Sequence, residues 1–110
     1  MIFQTEKAGE NSTYFLTAGF TNSNGDSVTP TSIKWSLTDI AGNTINSRAD
    51  QVVTPAANIV VTLSGDDLAL ADEDKPVRIL TVTWVYDDAP LSQTGLTVIE
   101  QTAFEIEALT

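Results

Sequence analysis

Apolar and polar positions alternate with a period of two along most of this chain, the mark of strands that bury one face. Over residues 13–21, Tyr14, Leu16, Ala18 and Phe20 fall on one side and Thr13, Phe15, Thr17 and Thr21 on the other. Ile33, Trp35 and Leu37 alternate with Lys34, Ser36 and Thr38, and Ile59, Val61 and Leu63 repeat the pattern over 58–64. The most apolar segment, 77–86, sets Leu80, Val82, Trp84 and Tyr86 on one face and Val77, Ile79 and Val85 on the other, which suits a central strand. A long last strand is expected over 96–109, with Leu96, Val98, Phe104 and Ile106 facing alike. Shorter strands are expected at 2–5 and between 44 and 53, the latter ended by Pro55. No segment carries a convincing helical period; Leu68-Ala69-Leu70-Ala71 predicts one helical turn, capped by Ser64 or Asp66.

Between these segments lie turn signals, among them Asn24-Gly25, whose residues accept the positive φ of a tight reversal, and Gly42-Asn43. About seven strands with such punctuation predict an all-β fold, an immunoglobulin-like antiparallel β-sandwich formed by residues 1–110 as a single domain. A jelly roll needs eight strands and more residues, and ranks second. In the sandwich Trp35 lies on the third strand and Trp84 on the sixth, neighbours in one sheet, so both indoles are expected in the core.

The composition narrows the function. Five basic residues against fifteen acidic ones give a net charge of −10, which repels phosphate backbones and anionic lipids, so neither nucleic acid nor a membrane is an expected partner. The 110 residues include no cysteine, so the core must stabilise the fold without disulfides, and a reducing cytoplasm fits. Met1 to Lys7 lacks the basic-then-apolar pattern of a signal peptide. With no histidine, Ser-His-Asp, Cys-His and HExxH chemistry are excluded, and the adjacent acids Asp66-Asp67 and Asp87-Asp88 do not make a glycosidase pair. The expectation is a non-enzyme with no catalytic residues, no cofactor and no metal site.

Two surface features bear on binding. In a seven-strand sandwich one pole gathers Glu10, Asp39, Asp66, Asp67, Asp72, Glu73 and Asp74, and the other Asp26, Asp87 and Asp88. Neither group follows the D-x-D-x-D-G spacing of a calcium loop, so they read as solvated turn residues in preference to Ca²⁺ ligands. Val77, Ile79 and Val85 would point outward from the central strand, as an interface for a partner or a second copy, unless Lys34 and Arg78 shield them. The edge of the long last strand offers a second route, by accepting a strand from another chain.

The motifs NGxxVTPTSIKWSLTD, GNxINSR and SGDDLAL, within residues 21–70, are loop and strand patterns. In these the chain resembles small Ig-like proteins encoded among the structural genes of tailed phages and prophages. The resemblance implies a virion or assembly module of the head, neck or tail, with no active site to carry over. Its partners would be virion components or itself, and its place the host bacterial cytoplasm during assembly and then the particle. The alternative is an Ig-like module of a bacterial surface adhesin, stiffened by Ca²⁺ at the acidic pole. A carbohydrate-binding module ranks third, since Trp35, Trp84 and Tyr86 are expected in the core rather than in an exposed aromatic row.

Overall fold

Strict alternation becomes a paired strand in each segment that shows it. In the computed structural model, which describes residues 2–4, 6–70 and 76–107 (Ile2 and Phe3 by backbone alone), β3 (Thr13–Gly19) and β6 (Asn58–Ser64) form an antiparallel two-stranded sheet. Tyr14 sits opposite Leu63 and Leu16 opposite Val61, one continuous buried row. In the second sheet β4 (Ser32–Asp39) pairs antiparallel with β7 (Val77–Asp88), placing Ile33 against Trp84, Trp35 against Val82 and Leu37 against Leu80. β8 (Gln93–Glu107) folds back along β7, and β5 (Gln51–Val53) lies on the far side of β4. β1 (Ile2–Phe3) and β2 (Ala8–Gly9) both pair with β8, so the order is β1-β8-β7-β4-β5 with β2 further along β8.

One apolar core joins the sheets. Tyr14, Leu16, Phe20, Ile59, Val61 and Leu63 come from β3, β6 and their ends; Ile33, Trp35, Leu37, Leu80, Val82, Trp84, Phe104 and Ile106 come from the larger sheet. Each fully buried side chain of this kind contributes about 1.5–3 kcal/mol over its exposed state. Tyr14 stacks on Phe104 at 4.9 Å between ring centroids, and Trp84 packs on Phe20 and on Tyr86, each at 4.9 Å. Trp35, one diagonal step away in the ladder, lies instead beneath the Arg48 guanidinium, 5.9 Å from the ring centroid. The two indoles thus fill different parts of the core.

The all-β expectation holds, with differences that have local causes. The described residues form eight strands, because the expected first strand shortens to β1 and β2 adds one at Ala8–Gly9, beyond the expected segment; between them the Glu6 carbonyl accepts a hydrogen bond from the Tyr14 hydroxyl. The larger sheet is mixed, since β1 and β2 run parallel to β8. Those strands come from opposite ends of the sequence, so no tight turn dictates their direction and the rest of the chain serves as the crossover. The strand expected within 44–53 shrinks to Gln51–Val53 because Asn46, Ser47 and Asp50 adopt left-handed φ of 52°, 57° and 49°, which no ladder tolerates. The helical turn forms earlier, as a 3₁₀ turn at Gly65–Leu68 with Ser64 at its start. The last strand begins at Gln93, and the end of the segment expected to reach 109 lies outside the described residues.

Candidate interaction surface

The outer face of the larger sheet carries the residues singled out as an interface. Val85 lies between Ser32 and Thr97, Ile79 between Thr38 and Ala103, and Val77 opposite Glu105. All three are half-buried. Val77 and Ile79 are adjacent on this face, but Val85 is about 20 Å farther along β7, beyond Thr81 and Thr83. Lys34 faces outward in a row that crosses four strands, Val52, Lys34, Thr83 and Ile99, and its ammonium lies 3.4 Å from Asp50. The apolar ends of that row stand open to solvent, Val52 at 88 % and Ile99 at 65 % exposure. Arg78 is no shield: it shares the inward parity of Leu80, is 6 % exposed, and donates to the carbonyls of Val77 and Ala69.

At the poles the loops meet as their topology requires, but key carboxylates turn inward. Asp67, with no exposed surface, accepts from Arg48 Nε at 2.7 Å, Arg48 Nη2 at 3.3 Å, Asn46 Nδ2 at 2.8 Å and the Ser64 amide at 3.2 Å. Asp88, 1 % exposed, accepts from the Ser23 amide and hydroxyl, the Tyr86 hydroxyl and the Leu91 amide. Asp39 caps its own turn through the amides of Ala41 and Asn43. Reading Asp67 and Asp88 as solvated turn residues is therefore wrong: each is the internal acceptor that ties two loops together, Arg48 to the 3₁₀ turn and Ser23 to the β7–β8 hairpin. Asp72, Glu73 and Asp74 lie outside the described residues, and among the described residues no three acidic side chains converge to hold a metal.

These hydrogen bonds set a pH dependence. Desolvation pushes the Asp67 carboxyl up, but Arg48, Asn46 and the Ser64 amide together hold it below the ordinary carboxylate range. Asp88 is likewise held low, desolvation being outweighed by Ser23, Leu91 and Tyr86. A carboxyl whose folded pKa is depressed adds stability that is present above its unfolded value, near 3.9, and is lost as pH falls through the folded pKa. Urea midpoints are expected to hold from pH 7 to about 5 and to fall steeply below about 4. Asp67→Asn should flatten that fall, and midpoints equal at pH 6 and pH 3 in the parent chain would refute the assignment.

A cleft opens at the side of the sandwich, between β3 and the inner face of β8. It has a volume of about 260 Å³ and is lined by Phe15, Leu16, Thr17, Ala18 and Gly19 of β3, by Val61, Leu80 and Val82 at its floor, and by Gln4, Glu100 and Thr102. At the two ends of the ladder Phe20, following β3, donates its amide hydrogen to the Ala57 carbonyl beside β6, and Gly65, following β6, donates to the Ser12 carbonyl beside β3. This fixes the parity: even residues of β3 bond to β6, and Thr13, Phe15, Thr17 and Gly19 aim N–H and C=O away from it, at the open edge. Among the described residues β6 is the sole strand partner of β3. Glu100 and Thr102 belong to the inward row of β8, opposite Val82 and Leu80, yet Glu100 is exposed because no strand covers it.

Sequence reasoning missed this cleft. Its signal is present in the last strand: the inward row Leu96, Val98, Phe104, Ile106 is interrupted by Glu100 and Thr102. The free edge expected on β8 is partly closed, since β1 and β2 take its far half at Thr102, Ala103, Ile106 and Glu107. Comparison with known protein families, with curated proteins and with solved structures gave no match.

Proposed function

We propose that this chain is an immunoglobulin-like sandwich acting as a non-catalytic protein-interaction module in the virion or the assembly of a tailed phage or prophage. The order β8-β7-β4 in one sheet facing β3-β6 in the other supports the Ig-like reading. The observation that carries the interaction reading is the contrast between buried and exposed chemistry. Asp67, Asp88 and Arg78 are engaged in holding the fold, while Val52 and Ile99 stand bare on the outer sheet face. Exposed apolar groups on a hydroxyl-rich sheet face suit docking against another protein. A net charge of −10 turns the same surface away from nucleic acid and anionic lipid. Other virion proteins, or further copies of the chain, are the partners; the host cytoplasm is where assembly brings them together.

The test is mass spectrometry of purified particles and of their assembly intermediates, together with the neighbourhood of the gene. Absence from both would sink the virion reading. The double substitution Val52→Lys, Ile99→Lys is expected to leave unfolding free energy within about 0.5 kcal/mol of the parent and to reduce incorporation about tenfold. Undiminished incorporation would remove the outer face from the interface.

A further inference from the structure

We propose that the cleft between β3 and β8 is a strand acceptor: an extended segment of a partner protein, apolar at alternate positions and bearing one lysine or arginine, pairs with the open edge of β3 and sets its basic group against Glu100. This deepens the interaction reading by stating what one surface takes.

Three observations converge on that occupant. First, the outward N–H and C=O groups of Phe15, Thr17 and Gly19 form the half-ladder that an added strand completes, and residues 15–19, all lining the cleft, match a strand of about 17 Å. Second, the floor is apolar. Leu16, Val61, Leu80 and Val82 reach the cleft from both sheets, so every second side chain of an inserted strand meets hydrocarbon while the others face outward beside Phe15, itself 63 % exposed. Third, the charge is one-sided. Glu100 is the only charged residue of the lining, makes no ion pair among the described residues, and stands on the inward row where a core residue belongs. A second copy would bring another −10 to the contact, whereas a basic segment is drawn to it. Of β6, only Val61 lines the cleft, so the backbone that meets an inserted strand there is that of β3.

The test uses the full chain, isotope-labelled, and a synthetic seven-residue peptide alternating threonine and valine with lysine in place of the middle valine. Free, the chain should exchange the Phe15, Thr17 and Gly19 amides fast and those of Leu16 and Ala18 slowly. With the peptide, the fast set is expected to slow at least about tenfold, with a Kd below about 1 mM by fluorescence anisotropy. Glu100→Gln should weaken binding about fivefold, and a peptide with glutamate in place of lysine should bind more weakly still. Thr17→Pro removes an outward N–H while leaving the β6 ladder whole, and should weaken binding about tenfold. No binding at 1 mM, equal affinity for the lysine and glutamate peptides, protection of Val60 and Thr62 instead, or slow Phe15 and Thr17 amides in the free chain would each overturn the inference. Self-association that protects the same edge would overturn it in favour of a second copy. The probe is a synthetic peptide, so these failures are separate from those of the particle experiments.

Discussion

Truncating Trp84 to alanine is expected to lower the unfolding free energy by about 4 kcal/mol, a large part of the roughly 5–15 kcal/mol that a domain of this size possesses. The indole is 3 % exposed, sits on β7 between β4 and β8, and touches Phe20 and Tyr86, so its removal leaves a cavity that strands on both sides hold open. Urea denaturation followed by far-ultraviolet circular dichroism measures the loss. A drop under about 1 kcal/mol would mean that the two sheets do not close over this ring. Trp84→Phe separates two contributions. It loses ring area, but it also removes a buried Nε1–H that lacks an acceptor among the described residues, so its cost should be about 1–2 kcal/mol.

Replacing Asp67 by alanine should cost about 3 kcal/mol. The substitution leaves the Ser64 amide and the Asn46 amide group without their acceptor and releases Arg48 from the turn. The value is taken from the low end for a buried pair because the Arg48 side chain is 38 % exposed and water can take up part of the lost interaction. Arg48 also lies over Trp35, so the mutant should show altered Trp35 fluorescence in the Trp84→Phe background before any unfolding. A midpoint unchanged by Asp67→Ala would show that the contact between the β4–β5 connection and the 3₁₀ turn holds nothing together.

The inward faces of β3, β4, β6 and β7 were legible because burial of one side imposes a two-residue period, and Trp84, Val82 and Leu80 obey it. Arg78 obeys it too. Its parity with Leu80 pointed inward, and the general rule that guanidinium groups stay in water pointed outward; the parity was the better guide, since the donors of Arg78 find carbonyls on Val77 and Ala69. Asp67 and Asp88 were not legible, because the groups that bury them lie 19 and 65 residues away in sequence, and only the closed sandwich brings Arg48 and Ser23 to them. The parallel pairing of β1 and β2 with β8 was hidden for the same reason. The outer-face residues Val77, Ile79 and Val85 could be assigned a side from alternation alone, but their separation by Thr81 and Thr83, and the greater exposure of Val52 and Ile99, depend on which strands are neighbours. The cleft had one local sign, the polar break at Glu100 and Thr102; that β3 is the strand left open beside it follows from topology.

The pairing of β1 and β2 along β8 sets how the fold responds to a pulling force. The body measures 52 × 23 × 22 Å, and the two short strands lie against β8 in the same direction, Ile2 beside Thr102 and Gly9 beside Glu107. Tension entering at β1 and leaving past the end of β8 pulls these rungs sideways and together, as in a lap joint, instead of peeling them one at a time. Such a body yields under force at the rate set by its barrier to unfolding rather than rung by rung.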